Sequence, residues 1–284
     1  MMRKTLWALC IVSLLLIISS CSNKPDNVAI SSDGTNICFD HKGQGEPAIV
    51  FVHGFSVTRK YWNYQLEYFS NKYKTVTIDL GGFGESGTTR TNWTISAMGE
   101  DVVAVIKKLK LNRVVLIGHS MGGPVIVEAA KRMPEKIVGL VPVDIFQNID
   151  DVWTKETIDG TISYIKTAWK NPDSWNFLKD KTIIQHYVDQ LPEEQPNYWW
   201  PVLAETFEWI NESKEKFSQI DIPIFSINSD EKPTNVELFK EYVPSFSTKI
   251  IPNTGHFLPC EEPDKFNQAL EDVINEFQSI NIEK

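Results

Sequence analysis

The amino-acid sequence predicts an α/β fold, with a mostly parallel twisted sheet, helices on both of its faces and an inserted helical lid. Short apolar runs alternate with helix-like segments along most of the chain. The run at residues 48–52 is continuously apolar, which is typical of a strand buried on both faces of a parallel sheet. The alternation stops near residue 145 and resumes near residue 219, which indicates an insertion.

Turn and breaker residues delimit the elements before the insertion. Asp33 and Gly34 lie in a turn between the first two strands, and Pro134 ends a helix because proline cannot continue it. Hydrophobic spacing places the helix at residues 95–109. We expect strands at 28–30, 36–39, 48–52, 74–80, 113–117 and 137–143, and helices at 61–69, 95–109 and 124–132.

The segment at residues 145–218 differs in composition from the rest of the chain. Four prolines divide it into short helical pieces. Aromatic rings in such a lid could line a ligand pocket or form the lid's own core. Its tryptophans are Trp153, Trp169, Trp175, Trp199, Trp200 and Trp209, and its tyrosines include Tyr164, Tyr187 and Tyr198.

Strand–helix alternation returns after the lid. We expect strands at residues 222–227 and 248–251 and helices at 234–242 and 262–277. The last helix carries Phe266, Leu270 and Ile274 on one face, as a helix packed against the sheet requires.

The N-terminal segment has the layout of an export signal. Arg3 and Lys4 precede an apolar run at residues 6–18, and small residues then lead to Cys21. This end resembles a bacterial lipobox, so we expect a signal peptide at 1–20, lipid on Cys21 and a tether at 21–27. An ordinary signal peptide or a short membrane anchor are the alternatives. The lipid would hold the exported chain at a membrane, facing the periplasm or the cell exterior.

Charge and cysteine content exclude several classes of function. The chain carries a net charge of −9 and no basic run, which argues against a nucleic-acid partner. The five histidines show no metal-binding spacing and there is no Cys-x-x-Cys, so we expect no metal. Cys38 and Cys260 are the two cysteines of the expected folded part, and we expect both to be buried thiols.

Residues 118–123, Gly-His-Ser-Met-Gly-Gly, carry the strongest chemical signal. They follow the predicted strand at 113–117 and open the predicted helix, so Ser120 lies at the apex of a sharp turn. This is the G-x-S-x-G nucleophile elbow, in which small neighbours permit the strained backbone. We therefore expect Ser120 to be a catalytic nucleophile.

A second glycine pattern has two interpretations. Gly82, Gly84 and Gly87 match G-x-G-x-x-G, but a dinucleotide site needs a helix to open within the motif. Here residues 88–92 continue as a loop, so we expect no nucleotide cofactor. The same stretch, starting at Asp79, reads D-x-x-G-x-G-x-S.

Four motifs in this order resemble the α/β-hydrolase superfamily. They are His53-Gly54 after a strand, the Asp79 loop, the Ser120 elbow and Gly255-His256. The resemblance covers about residues 28–280 and matches the lid poorly. It implies a hydrolase core at residues 28–144 and 219–284, with the lid at 145–218 between the two parts.

The resemblance also implies the roles of the site residues. Ser120 would be the nucleophile and His256 the general base. We expect Asp230, after the seventh core strand, to be the orienting acid, with Asp144 and Glu231 as alternatives, because Asn228-Ser229 replaces the glycine often found before the acid. The backbone N–H groups of Phe55 and Met121 would form the oxyanion hole. We expect His53 to order its loop instead of taking part in catalysis.

A serine nucleophile favours acyl chemistry over displacement at saturated carbon, which the dehalogenases and epoxide hydrolases of this superfamily perform with a carboxylate. We therefore expect a serine hydrolase acting on small to medium apolar carboxylic esters, with no cofactor. C–C bond hydrolases, amidases and cofactor-free haloperoxidase-like enzymes share the triad and remain alternatives. A lipoprotein that binds a ligand without catalysis is the non-enzymatic alternative.

Overall fold

The structure is a computed structural model that describes residues 25–169, 171, 174 and 191–280. The predicted signal peptide at 1–20, the lipid site Cys21 and the lid residues Trp175 and Tyr187 lie outside the described residues.

One eight-stranded sheet organises the chain, in the order β1-β2-β4-β3-β5-β6-β7-β8. The pairs β1–β2 and β2–β4 are antiparallel and the other five are parallel, which confirms the predicted mostly parallel sheet. The strands are β1 (Val28–Ile30), β2 (Asn36–Lys42), β3 (Ala48–Val52), β4 (Thr75–Ile78), β5 (Val114–His119), β6 (Ile137–Val143), β7 (Phe225–Ser229) and β8 (Ser247–Ile251).

The helices alternate with these strands. Among the described residues they are α1 (Asn63–Phe69), α2 (Ile95–Lys108), α3 (Gly122–Arg132), α4 (Lys155–Ala168), α5 (Trp199–Asn211), α6 (Ser213–Ser218), α7 (Val236–Lys240), α8 (Leu258–Glu261) and α9 (Pro263–Ile280). Helix α2 is capped by Thr94, whose hydroxyl accepts from the Ala97 N–H at 3.1 Å. None of the described helices is long and apolar enough to cross a membrane.

Side chains from the two faces of β3 enter two separate hydrophobic layers. Val50 and Val52 pack into one layer, and Ile49 and Phe51 pack into the other. This alternation is the two-residue period of a strand, and all five residues of β3 are buried. Helices α2 and α3 contribute to the first layer and α9 to the second, so the sheet is covered on both faces.

Strand β7 begins three residues later than the sequence indicates. Pro223 lacks an N–H to donate to the sheet, and its carbonyl accepts from the Leu140 N–H at 2.9 Å outside the regular ladder. The strand also extends past residue 227, through Asn228 and Ser229, so Ser229 lies at the carboxyl end of the sheet.

Three described helices, α4 to α6, lie between β6 and β7, where the lid is expected. Two indole groups of α5 hold it against the core. The Nε1 of Trp199 donates to the carbonyl of Gly82 at 2.9 Å, and the Nε1 of Trp209 donates to Glu128 at 3.0 Å. A carboxylate oxygen of Glu205 accepts from the backbone N–H of Ile95 at the start of α2.

The cysteines differ from the expectation of two thiols. Cys260 is a buried thiol, whereas Cys38 is disulfide-bonded. The prediction was therefore wrong for Cys38. The two residues do not pair with each other.

Candidate active site

Ser120 lies at the apex of a tight turn between β5 and α3. Its φ of 50° is in the left-handed region, which is strained for a residue with a side chain. The flanking glycines permit the turn. A Cβ on Gly118 would lie 2.2 Å from the carbonyl oxygen of Gly122, and a Cβ on Gly122 would lie 2.6 Å from that of Val52. The sequence therefore folds here as the elbow motif predicts.

A cavity of about 380 Å³ opens at this turn. Ser120, His256 and Asp144 line it together, so the structure brings the elbow and the histidine loop to one site. More than half of the other lining residues are aromatic or aliphatic, and most of these come from the expected lid. Those lid residues are Ile145, Phe146, Trp153, Tyr164, Ile165, Ala168, Trp169, Leu203, Phe207 and Ile210.

Asp144 is the acid that contacts His256. Its Oδ2 lies 2.7 Å from Nδ1 of His256. The other oxygen, Oδ1, accepts from the N–H and from the hydroxyl of Ser229, both at 2.8 Å. Burial by itself raises the pKa of Asp144, but the bond and charge of His256 and the two Ser229 donors outweigh it and hold the pKa below its usual 3.8. The carboxylate is therefore ionised and aimed at the histidine.

The preference for Asp230 as the orienting acid is corrected by this geometry. Asp230 is exposed, and its Oδ2 accepts from the backbone N–H of Asn253 at 3.0 Å. Glu231 lines the cavity, but Nδ1 of His256 is paired with Asp144. Asp144, which the sequence left as an alternative, thus takes the position beside the histidine.

Two supporting residues were not identified from the sequence. Ser229 orients Asp144, and the Nε2 of His119 lies 2.7 Å from the carbonyl oxygen of His256. The sequence signal for the role of Ser229 was that Asn228-Ser229 replaces the glycine often found before the acid. A serine at the end of β7 can donate hydrogen bonds to an acid that follows the neighbouring strand. No sequence pattern marked the second contact.

The loop after β3 passes close to Ser120. A Cβ on Gly54 would lie 3.2 Å from the Ser120 Cβ, so only glycine fits without displacement. Among the described residues, the N–H groups of Phe55 and Met121 donate to no other protein group. Two such donors beside the serine can stabilise an oxyanion.

His53 orders its loop, as expected, and is fully buried. Its Nδ1 donates to the carbonyl of Gly54 at 2.7 Å, and its Nε2 accepts from the Leu80 N–H at 3.1 Å. Burial lowers the pKa of His53, so the ring stays neutral and keeps both bonds.

The glycines of the Asp79 loop are explained by packing. A Cβ on Gly84 would lie 2.2 Å from an Asp79 carboxylate oxygen, and one on Gly82 would lie 2.4 Å from the Trp93 ring. Helix α2 begins only at Ile95, which is too late for a dinucleotide motif. Within the described part of the chain, no group of three or more His, Cys, Asp or Glu side chains could hold a metal ion.

Comparison with known proteins places this geometry in context. The model of the "Alpha/beta hydrolase family" matches residues 49–269. An uncharacterized hydrolase of Bacillus subtilis, YugF, is 32% identical, over 85% of this chain and 95% of its own length. The 3-oxoadipate enol-lactonase 2 of Acinetobacter baylyi is 24% identical, over 83% and 91%.

A solved structure shows the same fold. The thermophilic esterase of Thermogutta terrifontis superimposes with a TM-score of 0.74 at 19% identity, covering 88% of this chain and 98% of the esterase. At this identity the likeness concerns the fold alone.

Proposed function

The chain belongs to the alpha/beta hydrolase family, and we propose that it is a serine hydrolase that cleaves carboxylic esters through an acyl-enzyme. The observation that carries the proposal is the His256–Asp144 hydrogen bond in the cavity that Ser120 also lines. A cavity wall that combines aromatic and aliphatic side chains with polar groups suits an ester with an apolar acyl or alcohol part.

The proposed reaction has two halves. Ser120 Oγ attacks the ester carbonyl, and His256 Nε2 accepts the serine proton and passes it to the departing alkoxide. A water then attacks the acyl-enzyme, with His256 as base, and releases the acid and Ser120. The N–H groups of Phe55 and Met121 stabilise the oxyanion in both halves.

Asp144 supports the histidine in this mechanism. Its carboxylate accepts the Nδ1 proton, which leaves Nε2 free of a proton and able to act as base. The same negative charge stabilises the imidazolium that forms when Ser120 is deprotonated. Ser229 contributes by holding the carboxylate in place through two hydrogen bonds.

The substrate class follows from the cavity and from the relatives. A volume of about 380 Å³ accommodates small to medium esters. The enol-lactonase name of one relative extends this to cyclic esters, since a lactone presents the same carbonyl. The alternatives are amide hydrolysis, hydrolysis of a C–C bond beside a carbonyl and haloperoxidase-like perhydrolysis. They use the same residues, and they come to the front if the serine is labelled but no ester is turned over.

Hydrolysis of p-nitrophenyl esters from acetate to dodecanoate tests the proposal. Protein lacking residues 1–21 is compared with Ser120→Ala, and a fluorophosphonate probe reports the activated serine in both. Turnover and labelling in wild type, with a loss of about 10⁴-fold or more in Ser120→Ala, is the expected result, because triad members act as a unit.

The other outcomes contradict parts of the proposal. Labelling without turnover on any ester would mean a working nucleophile with a different substrate. Absence of both would favour a ligand-binding protein without catalysis.

We propose further that the protein is exported and held at a membrane by lipid on Cys21. The basic start, the apolar run and the cysteine that follows small residues in the sequence support this. Palmitate labelling that disappears in Cys21→Ala is the expected result. A Cys21–Cys38 disulfide found by non-reducing mass spectrometry would contradict it, because one sulfur cannot hold both groups.

A further inference from the structure

His119 connects the nucleophile turn to the main chain of the histidine loop. It is the last residue of β5, directly before Ser120, and is 1% exposed. Its Nε2 lies 2.7 Å from the carbonyl oxygen of His256. Because a carbonyl oxygen only accepts, the proton of this hydrogen bond belongs to His119 Nε2.

The other ring nitrogen of His119 is enclosed without a partner. Nδ1 is buried and accepts no hydrogen bond among the described residues. The backbone of Gly54 covers it so closely that a Cβ there would lie 2.9 Å from this atom. A second proton on the ring would have no acceptor, so the neutral Nε2–H form is the one that fits.

Electrostatics favours the same form. Burial, reinforced by the neighbouring His256, lowers the pKa of His119 to about 3. The ring is therefore neutral throughout the range in which a histidine base works. The hydrogen bond to the carbonyl is then present at every pH at which the site is active.

Packing prevents the ring from turning away. Tyr61 stacks on it with centroids 4.9 Å apart, and Phe257 lies 5.3 Å away. The His256 ring itself lies 4.7 Å away, so the two imidazoles are in contact.

We propose that His119 is a positioning residue, whose Nε2–H fixes the backbone of His256 relative to Ser120. Because the ring of His119 carries no charge, it does not repel the imidazolium that His256 forms during attack. This inference rests on the proposed serine hydrolase function. Asp144 sets the orientation of the His256 ring, and His119 sets the main chain that carries it.

The two constraints are complementary. Asp144 follows β6 and contacts the His256 ring. His119 is adjacent in sequence to Ser120, so its hydrogen bond fixes the distance between the His256 main chain and the nucleophile. Displacement of a reacting group by about 1 Å can cost about 10²-fold in rate. A charge on His119 would add repulsion, because it would lie beside the imidazolium formed during attack.

His119→Gln and His119→Met form a matched pair for the test. Both side chains are unbranched at Cβ and Cγ and are of equal length, but only glutamine keeps a terminal N–H donor. Gln65→Leu is the control, because Gln65 is buried and donates to the carbonyl of Pro259 at 3.1 Å, three residues after His256. All are assayed with a p-nitrophenyl ester, and rates are divided by the fraction of serine titrated with fluorophosphonate.

We expect His119→Met to lower kcat per titrated site by about 10- to 100-fold with KM nearly unchanged. His119→Gln should recover most of that loss. Gln65→Leu should lower Tm yet keep kcat per site within about twofold of wild type, because it leaves the bond between His119 and His256 intact.

Three results would overturn the inference. They are an unchanged kcat per site in His119→Met, a failure of glutamine to recover activity, and an equal loss in Gln65→Leu. If His119→Met does not fold, nitrogen-15 NMR of the wild type decides, since a missing proton on His119 Nε2 at pH 5 would contradict the hydrogen bond. Wild type that neither turns over nor labels would instead refute the proposed function.

Discussion

Nδ1 of His256 lies 2.7 Å from Oδ2 of Asp144, although 112 positions separate the two residues. Asp144 follows β6 and His256 follows β8, so the bond spans the end of the intervening strand β7. Ser229 ends that strand and holds Oδ1 of the same carboxylate with two donors. The neighbouring strand thus leaves one carboxylate oxygen for the histidine.

This arrangement predicts different effects for two aspartate variants. Asp144→Asn should lower kcat by about 10³- to 10⁴-fold, because an amide cannot stabilise the imidazolium and favours the wrong tautomer. Asp230→Asn should stay within a few-fold of wild type, because the Asp230 carboxylate is exposed and accepts from the Asn253 N–H, whereas Nδ1 of His256 is paired with Asp144.

Steady-state ester kinetics for both variants check this prediction, and fluorophosphonate titration corrects for misfolded protein. A large loss in Asp230→Asn with little effect of Asp144→Asn would reverse the assignment. Equal large losses in the two variants would mean that both carboxylates orient or stabilise the His256 ring.

The parts of the fold that the sequence predicts are those set by local chemistry. The unbroken apolar run of β3 requires burial on both faces, and Gly118 and Gly122 leave room for one sharp turn around Ser120. The orienting acid could not be chosen in this way. It depends on where β7 ends and on which carboxylate Ser229 holds, and both are tertiary facts.

The elbow glycines predict a steep cost for any added side chain. In Gly118→Ala the new Cβ would lie 2.2 Å from the carbonyl oxygen of Gly122, and a backbone atom cannot yield cheaply. We expect a loss of about 1–3 kcal/mol or more in unfolding free energy, together with loss of activity, because Ser120 would move.

Gly160→Ala is the matched control for that measurement. Gly160 lies inside α4, and a Cβ there would meet nothing within 4 Å. Alanine should stabilise the protein by about 0.5–1 kcal/mol through helix propensity, without affecting catalysis. Denaturant unfolding of the two variants measures both effects, and a harmless Gly118→Ala would contradict the tight elbow.

Glu205 predicts a pH dependence of stability. Burial raises the pKa of Glu205 from 4.5 to about 7. The negative charges of Glu208 and Glu128 also raise this pKa. The hydrogen bond from the Ile95 N–H and the charge of Lys216 lower it. Between pH 4.5 and about 7, Glu205 therefore holds a proton in the folded state and releases it in the unfolded chain. Its stabilising contribution is fully present below pH 4.5 and is lost as the pH rises through about 7.

Glu205→Gln should remove this dependence, because the amide is neutral at every pH and its oxygen still accepts from the Ile95 N–H. The variant should gain Tm relative to wild type at pH 8 and show little gain at pH 4.5. Glu135→Gln is the control for a lost negative charge, because Glu135 is exposed and is not among the groups that shift the pKa of Glu205. A gain independent of pH, or one shared by both variants, would exclude Glu205 as the titrating group.

The cavity wall predicts a change in substrate preference. Phe207 lines the cavity and stacks on Trp153 with centroids 4.1 Å apart, so Phe207→Ala opens space between the lid and Ser120. The chain-length optimum for p-nitrophenyl esters should move to longer acyl groups. Each added methylene that finds apolar surface is worth about 0.8 kcal/mol, or about fourfold in kcat/KM.

Tyr64→Ala controls for the loss of an aromatic side chain, because Tyr64 is 58% exposed and lies outside the cavity wall. Its chain-length profile should match that of wild type. If Phe207→Ala instead lowers the rate for every ester by the same factor, the acyl chain does not lie against Phe207. The acyl chain would then lie against another part of the cavity wall, which also includes Gln147 and Lys232.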